Sequence, residues 1–260
     1  MTGPTRQFFI VGAQRCGTTY LCSLVDEHPE IEMAMPLRPE PKFFLRDSLA
    51  DTTIQQYQSS HFGRKPGARV HGEKSTSYME SRQAAQGIAN WFPDAGIVFL
   101  LRNPVERAVS HYWFSVGNGL ETLPMSEAFA REDERRLDFD PAKVSVSPYA
   151  YLSRGRYVDA IEMYLEFFPR EQVAVVFFEE LVAGPGPVRN LFRFLGVDDR
   201  FSPQAAGRRI NEGDYEHAAL TAGLASLVNG YYTEPNARLA ALLGRRTPAQ
   251  WDATPPVAGQ

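Results

Sequence analysis

The chain has only two cysteines in 260 residues, Cys16 and Cys22, too few to staple a secreted scaffold. No Cys and His residues fall at zinc-binding spacing, so no metal is expected. Long apolar runs are also missing. A clearly apolar run such as Ile97–Leu101 is far short of the roughly 20 residues that span a bilayer. The N-terminus lacks the basic, apolar and cleavage-site order of a signal peptide, which reads as a cytoplasmic protein with no membrane partner. Cations are not in surplus: 27 Lys and Arg stand against 31 Asp and Glu, a formal net charge of −4. That balance excludes the diffuse basic field that nucleic-acid binding needs. Ordinary hydrophobic and charged fractions, 43% and 22%, exclude disorder and fibres. What remains is a globular chain in which a few placed cations would have to hold any anionic ligand. With no internal repeat and no rich linker, it reads as one domain over residues 1–260.

Apolar runs alternate with helical periodicity along the chain. Phe8–Val11 reads as a buried strand ending at Gly12, and Thr19–Glu27 as a helix stopped by Pro29. Pro36, Pro39 and Pro41 force an extended stretch that carries Glu40 into Phe43 and Phe44. Further expectations are a helix at Ile54–His61, a strand at Arg69–Glu73, a helix at Arg82–Phe92 and a strand at Gly96–Leu101. Asn103 as N-cap and Pro104 in the first turn then open another helix. Residues 117–148 read as an excursion whose charged stretch, Arg131–Arg136, is a solvated helix face. Tyr149–Phe168 reads as one long amphipathic helix, with Tyr157, Tyr164, Phe167 and Phe168 on its core side. A strand at Gln172–Phe178, a turn at Gly184–Pro187, a helix at Val188–Leu195, two helices within Glu216–Leu243 and a frayed tail at 252–260 complete the reading. Such alternation implies an α/β fold with a central parallel sheet flanked by helices.

Between the first strand and the first helix lies Gly12-Ala13-Gln14-Arg15-Cys16-Gly17-Thr18-Thr19. Unpaired N–H groups and the dipole at a helix N-terminus make such a turn an anion site. Gly12 and Gly17 allow angles and close approaches that a Cβ obstructs. Arg15 adds a planar cationic fork, and Thr18 and Thr19 add hydroxyls. The spacing is that of a nucleoside-triphosphate P-loop, but Thr18 occupies the position of its lysine. A metal-holding Asp is also expected at a later strand end, and Gly96–Leu101 is followed by Arg102 instead. Arg102 and Ser110, two helical turns after Asn103, can face a second phosphate. The competing reading gives Arg102 a structural ion pair and Ser110 a bond within its own helix.

FIVGAQRCGTT, EPKFF, GEKSTSY and FLLRNPVERAVSHY, in this order, resemble the sulfotransferases that use 3′-phosphoadenosine-5′-phosphosulfate (PAPS). The likeness is closest to the heparan sulfate N- and 3-O-sulfotransferase branch and its bacterial relatives. It extends through SRGRYVDAIEMYLEFFP and VVFFEEL to FRFLGV, over roughly residues 8–200. The resemblance implies a P-loop-like sulfotransferase fold and a 5′-phosphosulfate loop on Gln14, Arg15, Cys16, Gly17, Thr18 and Thr19. It places the 3′-phosphate pair on Arg102 and Ser110, the general base on Glu40, and a lysine near the transferred group at Lys74. Arg15 stands where the family usually has Lys, Cys16 where it often has Gly, and Lys42 where relatives often carry His. The family's basic late loop corresponds to the acidic Asn211–Glu216, with Arg208 and Arg209 just before it.

The expected reaction is metal-independent, in-line transfer of a sulfuryl group from PAPS, leaving PAP, to a hydroxyl or amine. Glu40 takes the acceptor's proton, while Arg15 and Lys74 stabilise the leaving 5′-phosphate. Glu73 and His71 are the spare bases if Glu40 is only a loop carboxylate. His111 and His217 read as structural, and Cys16 as a candidate reactive thiol at a helix N-terminus. Residues 45–70 and 117–148 would shape the pocket for a small-molecule or carbohydrate acceptor, with Tyr112, Trp113 and Phe114 hinting at an apolar one. Two other classes remain open: a P-loop kinase or NTPase, and a non-catalytic nucleotide-binding protein of the same fold. Oligomeric state is not legible.

Overall fold

The computed structural model describes residues 6–46, 49, 52–140, 144–207 and 220–252. In chain order its strands and helices are β1 (Arg6–Gly12), α1 (Thr18–Asp26), β2 (Ile31–Met33), α2 (Ile54–His61), β3 (Val70–Lys74), α3 (Arg82–Trp91), β4 (Gly96–Leu101), α4 (Pro104–Gly117), α5 (Met125–Ala130), α6 (Glu132–Arg135), α7 (Tyr157–Leu165), β5 (Val173–Phe177), α8 (Phe178–Ala183), α9 (Gly186–Leu195) and α10 (Ala222–Leu243). Short 3-10 turns sit between them, among them Phe43–Leu45, Thr76–Glu80 and Ser153–Gly155. The described residues fall into two compact units. One lies within Met1–Leu101 and Glu162–Ile210, the other within Arg102–Ile161 and Asn211–Gln260.

The first unit holds the expected central parallel sheet, with strand order β2-β3-β1-β4-β5. Phe8, Phe9, Ile10 and Val11 in β1 and Ile97–Leu101 in β4 are wholly buried. That continuous burial belongs to a parallel sheet covered on both faces, and it is why these strands read as unbroken apolar runs. The registers Ile10↔Lys74 and Gly12↔Phe99 bring the ends of β1, β3 and β4 side by side. Gly72 is required inside β3, since a Cβ there would lie 2.3 Å from the Phe8 ring and 2.5 Å from Met33 Sδ. β2 had no sequence signal: three residues show no period. Its pairing to β3 comes from register alone, Ile31↔Val70 through Met33↔Gly72. Helix α2 has the bounds expected of it and opens with a capping box, Gln56 N donating to Thr53 Oγ1 and Thr53 N to Gln56 Oε1.

The second unit has its own core, built from Val105, Ala108 and Tyr112 of α4, Phe129 of α5, Tyr151, and Val228 and Tyr232 of α10. Asn103 caps α4, its Oδ1 accepting from Val105 N and Glu106 N. Two expectations are corrected in this unit. The helix expected over Tyr149–Phe168 is interrupted: a 3-10 turn covers Ser153–Gly155, and α7 starts only at Tyr157. The cause is tertiary, because the N–H groups of Leu152 and Ser153 go to the buried Glu132 carboxylate instead of to helix carbonyls. The same contact revises the solvated reading of Arg131–Arg136. Arg131 and Arg136 do pair with exposed acids, but Glu132 points inward and Arg135 grips the buried Glu121 at 2.9 and 3.0 Å.

The two helices expected within Glu216–Leu243 are one over the described part, the 22-residue α10 with Pro235 inside it. Proline removes one helical bond. Burial of Val228, Tyr232 and Leu239, with Tyr232 Oη donating to Leu152 O, keeps the helix continuous across it. Tyr157, Tyr164 and Phe168 are buried as expected, and Phe167 is half-buried. Among the described residues no helix is long and apolar enough to cross a membrane. The tail beyond Asp252 and residues 208–219, which include Arg208, Arg209, His217 and the acidic Asn211–Glu216, lie outside the described residues.

Candidate active site

In the first unit the turn from β1 to α1 is tied down by backbone hydrogen bonds. Ala13 N donates to Leu100 O, and Cys16 N closes back on Ala13 O. Arg15 and Gly17 both have left-handed backbone, with φ of +67° and +85°. Such alternating conformations turn successive N–H groups toward one point. Gly17 O accepts from Tyr20 N and Leu21 N, so helix α1 itself offers no acceptor for the N–H groups of Thr18 and Thr19. Its first turn carries no acidic residue. The two glycines serve packing as well as conformation. A Cβ on Gly12 would lie 2.8 Å from Met79, and one on Gly17 would lie 2.7 Å from the Phe178 ring.

Cys16 is wholly buried, its Sγ 3.8 Å from Gln14 O. The reactive-thiol reading fails on access, and Cys16 shapes the turn from inside. The Cys22 thiol, further along α1, is pushed up to about 12 by burial, against the opposing field of Lys74. Both cysteines are free.

The structure brings Glu40 and Lys74 together beside this turn. Lys74 ends β3 next to Ile10 of β1, and its Nζ donates to Glu40 Oε1 at 2.7 Å. The lysine is 4% exposed and the carboxylate 15%. Most lysines lie at the surface, and this one is compensated at depth by the carboxylate beside it. Thr76, which sequence reasoning missed, completes the arrangement: its N–H donates to Glu40 Oε2 at 2.9 Å and its hydroxyl lies within 3.1 Å of both oxygens. The signal was present in the residues Glu73-Lys74-Ser75-Thr76. Lys74 and Thr76 turn toward Glu40, while the Ser75 hydroxyl turns to the Glu73 carboxylate. Lys42 takes a left-handed conformation, φ +50°, and its N–H donates to Ser75 Oγ.

Both spare bases are engaged by neighbours within the fold. Glu73 is wholly buried and accepts from Tyr57 Oη, Ser75 Oγ and Tyr78 Oη. Burial pushes its carboxyl up, and those three donors pull it back. His71 lies three residues before the end of β3, stacked on Phe62 with ring centroids 4.2 Å apart and with Nε2 3.8 Å from Glu32. Burial pushes its imidazole below the ordinary value, and Glu32 opposes that shift.

The second expected anion pair belongs to the second unit. Arg102 follows β4 directly and donates through Nε and Nη2 to Glu106 Oε2 at 3.0 and 2.6 Å. The competing ion-pair reading is therefore realised here. An ion pair with this much solvent access is worth only about 0–1 kcal/mol. Ser110 lies buried on α4. His111 packs in the interior against Tyr151 and Arg154, a structural position as expected. Tyr112 is core, Trp113 is partly buried against it, and Phe114 is 40% exposed.

Several known proteins are similar to the chain in sequence or in fold. Human heparan sulfate glucosamine 3-O-sulfotransferase 6 is 29% identical over 201 residues, which is 75% of this chain and 55% of that protein. The bifunctional heparan sulfate N-deacetylase/N-sulfotransferase 1 of Caenorhabditis briggsae is 29% identical over 210 residues, 75% of this chain and 24% of that one. The chain thus spans about half or less of these curated relatives. A sulfotransferase from Alicyclobacillus acidocaldarius superposes with a TM-score of 0.76 at 30% identity, covering 97% of this chain and 100% of that one. A mouse sulfotransferase complexed with PAP shares the fold alone, with a TM-score of 0.55 and 17% identity over 92% of this chain and 88% of that one. The sequence model of the sulfotransferase domain matches residues 5–209. With that match and the bacterial structure, the chain belongs to the sulfotransferase domain family.

Proposed function

We propose that the chain moves a sulfuryl group from PAPS to a hydroxyl or amine of a carbohydrate or small-molecule acceptor, without a metal ion. The observation that carries this reading is the Glu40–Lys74 pair, nearly buried and set at the end of β3 beside the β1–α1 turn. The donor set of that turn suits a phosphosulfate: N–H groups at the start of α1, the Thr18 and Thr19 hydroxyls, and the Arg15 cation. PAPS supplies an electrophilic sulfur on a phosphate leaving group. Glu40, fixed by Thr76, accepts the proton that the attacking hydroxyl or amine gives up. Lys74 and Arg15 hold the negative charge that gathers on the leaving 5′-phosphate, and the Thr18 and Thr19 hydroxyls add neutral donors. Gln14, Cys16 and Gly17 set the curvature of the cradle. Arg102 and Ser110 are assigned to the 3′-phosphate on the resemblance, which the weak Arg102–Glu106 pair permits. The names of the curated relatives favour a sugar acceptor. Two buried free thiols support a reducing, cytoplasmic setting.

Calorimetry and mass spectrometry test the reading. PAP should bind in the absence of Mg²⁺, and a sulfo-group mass gain should appear on an acceptor drawn from glycans, phenols and lipids. Glu40→Gln should abolish transfer and keep PAP affinity. Tight Mg-ATP binding without PAP binding would instead mark an NTPase. PAP binding with no transfer to any acceptor would mark a non-catalytic nucleotide binder.

A further inference from the structure

Taking Glu40 as the base leaves a question of positioning, because the segment from Ala34 to Lys42 contains neither helix nor strand. A carboxylate on such a segment is placed only if its backbone is tied to something rigid. Two ties are present. Lys42 N donates to Ser75 Oγ at 2.9 Å, and Phe44 N donates to Tyr78 Oη at 3.0 Å. Each hydroxyl has a single proton, and both protons go to one group: Ser75 Oγ donates to Glu73 Oε1 at 2.7 Å, and Tyr78 Oη donates to the same oxygen at 2.5 Å. The other oxygen, Oε2, accepts from Tyr57 Oη at 2.7 Å.

We propose that Glu73 is a positioning residue for Glu40, acting through Ser75 and Tyr78. This inference rests on the reading of Glu40 as the base. By taking the protons of both hydroxyls, the Glu73 carboxylate leaves their lone pairs facing the N–H groups of Lys42 and Phe44. Residues 73–78 then grip the base from two sides. Lys74 and Thr76 hold its carboxylate, while Ser75 and Tyr78 hold the backbone two and four residues beyond it. Glu73 sits on β3, wholly buried, so the frame it supplies is the sheet itself. Its three hydroxyl donors satisfy both oxygens of a carboxyl group shut away from water.

Tyr57 is an internal control. It donates to the same carboxylate from α2, yet none of the hydrogen bonds among the described residues joins its hydroxyl to the backbone of 40–44. The test compares Tyr78→Phe, Ser75→Ala, Tyr57→Phe, Glu73→Gln and Glu40→Gln in the full chain. It has two readouts: amide hydrogen exchange of the peptide covering residues 40–46, and PAP release from PAPS with heparan sulfate as acceptor. Tyr78→Phe and Ser75→Ala should speed exchange and lower kcat, each about tenfold, with the KM for PAPS within about twofold. Tyr57→Phe should leave exchange at the wild-type rate and keep kcat within about threefold. Glu73→Gln should follow Tyr57→Phe, because its carbonyl still accepts both protons. The proposal is overturned if Tyr57→Phe matches Tyr78→Phe in both readouts, or if Tyr78→Phe exchanges like the wild type. Wild-type rates in Glu40→Gln would sink the base reading alone, and no PAP release from the wild type would exclude heparan sulfate as its acceptor; in either case the exchange comparison still decides the positioning.

Discussion

Removing Glu40 should destabilise the protein more than removing Lys74, although the two form one ion pair. The asymmetry follows from what each deletion leaves behind. Without Glu40, the Lys74 ammonium stays 4% exposed and loses the carboxylate that accepts from it. An uncompensated buried charge costs about 3–5 kcal/mol, and the 15% exposure of Glu40 lets water offset part of that. We expect about 2–4 kcal/mol for Glu40→Ala on this reasoning. Lys74→Ala leaves a more accessible carboxylate that still accepts from Thr76 N and Thr76 Oγ1, and should cost about 1–2 kcal/mol. Glu40→Gln keeps a carbonyl for Lys74 and should fall in the same lower range. With about 2–4 °C of Tm per kcal/mol, calorimetry should show Glu40→Ala melting several degrees below Lys74→Ala. Turnover separates stability from chemistry. Losing about 1–2 kcal/mol from a typical 5–15 leaves the chain folded at 25 °C, so a fall of roughly 10²–10⁴ in Glu40→Gln would report the lost base. The reasoning is refuted if Lys74→Ala costs as much stability as Glu40→Ala, or if Glu40→Gln keeps more than about a tenth of its turnover.

Gly17→Ala should lose about 2–4 kcal/mol, combining a left-handed φ with a Cβ against the Phe178 ring, and Phe178→Ala should recover only the packing part. A double-mutant cycle by urea denaturation reads that coupling, and strict additivity would contradict it. Because burial lowers the His71 pKa, the unfolded chain takes up a proton near pH 6.5 that the folded chain refuses. Stability should therefore fall as pH drops from about 6.5, and His71→Gln should flatten that fall; equal slopes in the two proteins would count against it. Glu132→Ala should cost about 2–4 kcal/mol and raise amide exchange at Leu152 and Ser153, whose N–H groups it now satisfies. Unchanged exchange there would show that another group holds that turn.

The strand ends and the β1–α1 turn were legible because local rules decide them. An unbroken apolar run such as Gly96–Leu101 can only be buried, and glycines before a helical period place the turn. Glu40, Lys74, Arg102 and Ser110 were legible as motif members, and the structure joins the first two. Where reading failed, a distant group had captured a local one. Tyr149–Phe168 has helical periodicity, but Glu132 takes two of its N–H groups. Arg131–Arg136 reads as solvated, but Glu132 and Arg135 spend their charge inside. Thr76 escaped notice because no period marks a hydroxyl that caps a carboxylate 36 residues away in sequence.

On its own, then, the sequence determined the fold class, the glycine turn between β1 and α1 and the identity of the charges, because periodicity, glycine positions and residue chemistry are local properties. Its lack of surplus cations implied that any anionic ligand would be held by a few placed charges. Only the tertiary structure decided how they are placed: Lys74 buried against Glu40, Thr76 clasping that carboxylate, and Glu73 withdrawn among three hydroxyls. Two carboxylates 33 positions apart look alike in a sequence. Burial and hydrogen-bond donors, which depend on what folds against each, separate a candidate base from its support.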